Sequence, residues 1–222
     1  MSAFLGHIHY WLYHKIRRVI EREHLLYDKA EAMCGSTAEE LRSQVWQSYG
    51  QPLVDVDLID VIDQSNIHGW LQRQINIAES REAAFIKELG DTCSSAGIEL
   101  AEAAFAEHGE LCGKQAGGQG KYSTDSAKGI YQALQDYYLN GMPCDQVDTV
   151  IVNTEDEVVW EGGECLQAVN WKRAGVKAAI MKGCYRKWLS GFVTALNSGF
   201  IYTQTADTMK GDRLDRHKIA KA

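Results

Sequence analysis

Prolines are scarce in this chain of 222 residues, where only Pro52 and Pro143 occur. Proline-rich linkers are therefore excluded, and nearly all of the chain is free to enter regular structure. Long apolar runs are missing too: none reaches the roughly 18–20 residues that a membrane-spanning helix needs. The N-terminus does not read as a signal peptide, because its histidines and Lys15 interrupt the apolar residues. No basic stripe is present. The formal net charge is −7 and the basic residues after Lys210 alternate with aspartates, which argues against a nucleic-acid partner. The six cysteines, Cys34, Cys93, Cys112, Cys144, Cys165 and Cys184, contain no CxxC pair. They read as free thiols in a cytoplasmic protein. Gly-x-Ser-x-Gly, His-Glu-x-x-His, phosphate-loop and dinucleotide fingerprints are all absent.

What is present is ample core material: 45% apolar residues with six Trp, ten Tyr and five Phe. The length fits one large domain. One stretch occurs twice. Ile8-His9-Tyr10-Trp11-Leu12 with Ile16 returns 59 residues later as Ile67-His68-Gly69-Trp70-Leu71 with Ile75, and Arg22-Glu23 aligns with Arg81-Glu82. Positions 8–23 and 67–82 share seven identities in sixteen, where ordinary composition gives about one. Histidine, leucine and isoleucine fall at i, i+3 and i+7, one face of an amphipathic helix. Two such helices, packed together, bring both histidines to one place.

The remaining periodicities predict an α+β protein. Helices are expected over 3–32, from Ser36 or Thr37 to a stop at Gly50-Gln51-Pro52, from Ser65 or Asn66 to about 89, over 95–114 and over 126–140. Residues 53–63 read as either a strand or a short helix. Gly90-Asp91 reads as a break, and 115–121, with three glycines, as a mobile loop. The period then changes near Asp148. Residues 148–153 and 157–161 predict a β-hairpin, 165–171 a further strand, 171–196 a helix, and 200–205 with 214–219 a second hairpin. The expected organisation is a helical region, 1–143, with a hairpin–helix–hairpin region, 144–222, packed on it as one globular unit.

In that last segment, Phe200-x-Tyr202-x-x-Thr205-x-x-Thr208-Met209-x-Gly211-Asp212-x-x-x-x-His217-x-Ile219 resembles the closing segment of the L-2-amino-thiazoline-4-carboxylic acid hydrolase family. The resemblance covers about the last 75 residues, and the organisation is also similar to sensor domains with 4-vinyl-reductase-like folds. It implies a cytoplasmic α+β fold and ring-opening hydrolysis of a small cyclic amidine acid. The family's cysteine falls at Asp215 and its next aspartate at Arg216, while Gly211, Asp212, His217 and Ile219 stand. An aspartate serves as base or metal ligand but is a poor substitute for a thiolate.

These observations give two sets of site candidates. Asp212, Asp215 and His217 are the catalytic candidates. Strand alternation puts Asp215 and His217 on one face, where they orient one another or share a metal. Asp212 follows Gly211 in a turn, which by itself favours aspartate. His9 and His68 are the metal candidates, as two neutral imidazoles for one divalent metal or haem iron, with Tyr10, Trp11 and Trp70 walling the cofactor. The alternative is duplicated packing. The leading expectation is a hydrolase-like protein that takes a small-molecule ligand. Its rivals are a haem- or metal-holding sensor and a structural subunit, either one compatible with a homo-oligomer.

Overall fold

The structure, a computed structural model, describes residues 5–145, 148–163 and 165–222. Its α+β class follows the expectation. Helix α1 (His7–Cys34) turns at Gly35 into α2 (Ser36–Tyr49), and a short α3 (Leu58–Val61) resolves the ambiguity of residues 53–63 in favour of helix. Helix α4 (Ile67–Gly118) and α5 (Ala127–Tyr137) follow. The hairpin β1 (Asp148–Asn153) and β2 (Glu157–Gly162) precedes α6 (Ala168–Ala174) and α7 (Ala178–Leu196). The second hairpin, β3 (Phe200–Ala206) and β4 (Asp215–Lys221), ends the chain.

Four expectations are corrected. The break expected at Gly90-Asp91 lies instead at Ser94 (φ 53°, ψ −133°), a kink at which two helical runs meet within the 52 residues of α4. Gly97 lets the chain bend there, because a Cβ would collide with the carbonyl of Leu89. The loop expected from 115 begins only after Gly118, since Cys112 and Ala116 are still buried on the helical stripe. The strand expected over 165–171 is instead a turn leading into α6, where Trp171 and Ala174 are buried. Gly175, left-handed at φ 77°, then separates α6 from α7, so the single helix expected over 171–196 is two. The start expected at residue 3 lies outside the described residues.

The two copies of the repeated stretch lie on α1 and the first part of α4. Both helices run in the same direction, because His9 meets His68 at one end and Arg22-Glu23 meets Arg81-Glu82 about three and a half turns later. Leu12, Ile16 and Val19 join Leu71, Ile75 and Ala78 in one apolar cluster between these contacts. Beyond them, α4 packs on α7 at very close range. A Cβ on Gly109 or Gly113 would meet the carbonyls of Trp188 and Phe192, and one on Gly191 would meet that of Ala106. Larger residues would force the two backbones apart.

The four strands form one antiparallel sheet in the order β1-β2-β4-β3. Its inner face carries Val158, Trp160, Phe200, Tyr202 and Ile219, all buried. These share one core with Phe105 of α4, Leu134 of α5, and Trp188 and Phe192 of α7. Residues from the helical half and from the hairpin half thus bury one another.

Candidate functional site

Alternation along the strands dictates which side chains face the interior. On β4, Asp215, His217 and Ile219 point inward, and on β3 their neighbours are Tyr202 and Gln204. The register places Asp148 of β1 opposite Gly162 of β2, and Gly162 opposite Asp215 of β4. Two carboxylates therefore stand in one row across three strands, about 10 Å apart at the backbone. Between them is a residue with no side chain. In the adjacent row Trp160 faces His217, which faces Gln204. Over this floor lies α7, which supplies Lys182, Tyr185, Arg186 and Leu189; Tyr138, Cys165, Gln167 and Trp171 complete the wall. The enclosed space is about 70 Å³, room for a few waters or a small ligand's core.

The charges in this cavity are arranged, not scattered. Lys182 Nζ donates to Asp215 at 2.7 Å and to Asp207 at 3.3 Å, and also to Thr208 Oγ1 at 2.7 Å. Arg186 donates to Asp207 Oδ2 and Gln204 Oε1. Burial pushes the Asp215 carboxyl up, but Lys182 and the Thr208 backbone N–H outweigh it and hold it below the usual carboxylate range. Asp148 goes the other way. Burial raises it, and its one hydrogen bond, from Asn140 Nδ2 at 2.8 Å, does not compensate. Two aspartates on one row thus differ in protonation preference because Lys182 bonds Asp215 directly, whereas Lys15 acts on Asp148 without a hydrogen bond and does not offset its burial.

His217 is neutral at physiological pH. Burial pulls its imidazole down to about 4, against the smaller opposing effect of Asp215. Its Nδ1 shares a 2.8 Å hydrogen bond with Tyr202 Oη, and the ring stacks on Trp160 with centroids 5.3 Å apart. Nδ1 is therefore occupied, whereas Nε2 has no hydrogen bond among the described residues. Cys165 is not activated. Burial pushes its thiol up to about 11, and Sγ donates to Gln167 Oε1.

Of the catalytic candidates, Asp215 and His217 both line the cavity. The tyrosine rather than the aspartate orients the imidazole. Asp212 is placed elsewhere: its Oδ2 accepts from the Asp207 backbone N–H and closes the turn between β3 and β4. Missed in the sequence were Asp148, Trp160, Lys182, Arg186 and Tyr202. A signal for two of them existed, since Lys182 and Arg186 are cations four residues apart on one side of the largely apolar α7.

The metal candidates do come together, with 3.2 Å between His9 Nε2 and His68 Nε2. Their chemistry does not suit a metal. Gly6 N–H donates to His9 Nδ1 at 3.0 Å, so the neutral ring carries its proton on Nε2, which then donates to His68 Nε2. A metal at Nε2 needs the opposite tautomer. The two imidazoles are in direct contact, with ring centroids 5.3 Å apart, which leaves no slot for a haem between them. Among the described residues no cluster of three His, Cys, Asp or Glu side chains is placed to hold a metal.

Nor do the aromatics expected to wall a cofactor converge on this pair. Trp70 is buried in the apolar cluster beside Tyr13, Trp11 donates to Asp136 at 2.8 Å, and Tyr10 bonds Asp57. Each tertiary partner pulls its ring a different way. No described helix is long and apolar enough to cross a membrane. Comparison with protein-family models, with curated proteins and with solved structures finds no match for this chain.

Proposed function

We propose that the chain is a small-molecule hydrolase-like protein whose substrate is a small zwitterion of the cyclic amidine acid type. The observation that carries this reading is the polarity of the cavity. Asp148 stands at one end of the row, the Asp215–Lys182–Arg186 group stands at the other, and Gly162 leaves the space between them open. An amidinium directed to Asp148 and a carboxylate directed to Lys182 and Arg186 would span that row. Trp160, Tyr138 and Tyr185 exclude water from its walls, which strengthens both contacts.

In the hydrolytic step, His217 Nε2 receives a proton from water while the oxygen adds to the amidine carbon. The C=N π pair moves to nitrogen as that bond forms. The adduct then collapses to C=O, passing its hydroxyl proton to the Asp148 carboxylate and the ring-bond pair to the leaving nitrogen or sulfur, which takes the proton held by His217. Tyr202 holds the imidazole ring in place, and Asp215 keeps Lys182 fixed for the substrate carboxylate. No metal is required by this scheme.

The test is turnover of cyclic amidine acids by the purified protein, followed by loss of the ring chromophore. His217→Ala is expected to remove turnover, and Tyr202→Phe to lower kcat with little change in KM. Wild-type-like turnover in both His217→Ala and Asp215→Ala would end the assignment. A binding protein without turnover is the second reading. It is favoured by the unactivated Cys165 and by the full set of hydrogen bonds on Asp215 Oδ1. Calorimetric binding of the same acids without product would select it.

A further inference from the structure

A second recess adjoins the first and shares Asn140 and Asp148 with it. It encloses about 160 Å³ between the first half of α1, α5 and the 3-10 turn Pro143–Asp145. Lys15 lies at this recess. The residue is only 3% exposed, and its Nζ makes no hydrogen bond or ion pair with any described residue. Its one close partner is the Trp11 ring, with the centroid 3.5 Å from Nζ. A buried lysine normally finds a carboxylate. Here the nearest candidates are otherwise engaged: Asp136 accepts from Trp11, Lys121 and Tyr122, and Asp148 accepts from Asn140.

We propose that Lys15 is a carbonyl-capturing amine, and that the recess of Trp11, Tyr131, Asn140, Met142 and Asp148 admits a small aldehyde or ketone that it binds as an imine. The amine lone pair attacks the carbonyl carbon, forming the C–N bond and sending the π pair to oxygen. Proton transfer from nitrogen to that oxygen gives a carbinolamine. The hydroxyl then leaves as water, with its proton supplied by Asp148, and a C=N bond remains. One carbonyl and one amine give one imine and one water, so no oxidant or reductant takes part.

The environment suits the role. Burial lowers the Lys15 ammonium to about 7, with the charges of Asp136 and Asp148 opposing. Tyr131, the other titratable group facing the recess, is pushed up by burial and stays a neutral phenol. At pH 7 about half of Lys15 is thus the free amine, against less than about 0.1% for an exposed lysine. The proposal does not depend on the hydrolase reading, because its readout is the modification of Lys15 itself and not turnover in the neighbouring cavity.

The experiment treats the intact protein at pH 7 with propionaldehyde and cyanoborohydride, which reduces an imine to a stable secondary amine. Peptide mass spectrometry then gives the labelling rate of each lysine. Lys15 is expected to label at least tenfold faster than the exposed Lys114. Its rate should rise between pH 6 and 8 and level off above 8. Lys15 labelling no faster than Lys114, or labelling only after denaturation, overturns the proposal. Comparable labelling with a pH dependence like that of Lys114 overturns it equally.

Discussion

Replacing Arg22 by Met tests how the repeated stretch holds the fold together. Arg22 on α1 reaches Glu82 on α4 through two hydrogen bonds of 2.6 and 2.8 Å, and Arg81 on α4 returns to Glu23 on α1 at 2.7 Å. Arg22 is 3% exposed and Glu82 is fully buried. The guanidinium also lies over the Phe105 ring, 4.2 Å from its centroid. Met keeps most of the apolar volume and removes the charge, so the main loss is electrostatic. A buried carboxylate left without its partner costs about 3–5 kcal/mol. With a urea slope of about 2–3 kcal/mol/M for a chain of this size, the unfolding midpoint should fall by about 1.5 M.

The pH dependence identifies the cause. Burial already raises the Glu82 carboxyl in the wild type despite Arg22, and the variant removes that opposition, so the folded value climbs further above the unfolded one. A carboxyl raised by folding favours the folded state below its unfolded value near 4.5 and withdraws that stability as pH rises through the folded value. The deficit of Arg22→Met should therefore be small near pH 5 and largest near pH 8. The double variant Arg22→Met/Glu82→Leu should recover most of the loss. A single variant within 1 kcal/mol of wild type, or a deficit independent of pH, would refute the account.

Three further outcomes are expected. In an NMR titration, the His217 ring should stay neutral from pH 8 to 5 and titrate near 4, because burial depresses it. Its contribution to stability is accordingly present above the ordinary histidine value and lost as pH falls through about 4; a midpoint near 6.5 would contradict the buried site. Gly109→Ala should cost about 1–3 kcal/mol by thermal unfolding, since its Cβ meets the Trp188 carbonyl, whereas Gly118→Ala, with nothing within 4 Å, should be nearly neutral. His68→Gln should return His9 toward its ordinary value. In the wild type His9 is lowered by partial burial, then by His68 and His7, and an unchanged His9 titration would show that the two rings do not meet.

The sequence by itself determined the α+β class, the period change at Asp148 and the helical spacing of the repeated stretch. These are local properties: side-chain alternation every two residues or every 3.6 is written in neighbouring positions. It also marked Asp215 and His217 as residues sharing a strand face. What covers that face was not legible, because Asp148 and Lys182 reach it from elements far away in the chain and Tyr202 from the paired strand. Only the tertiary structure decided that Gly162 separates two aspartates, that Lys182 lowers one and burial raises the other, and that Asp212 serves its turn. The same holds for the repeat. Its spacing is local, but whether His9 and His68 receive a metal or share a proton depends on a hydrogen bond from Gly6 and on aromatics that pack elsewhere. Burial and charge are properties of the assembled neighbourhood, and they set protonation states that no residue spacing encodes.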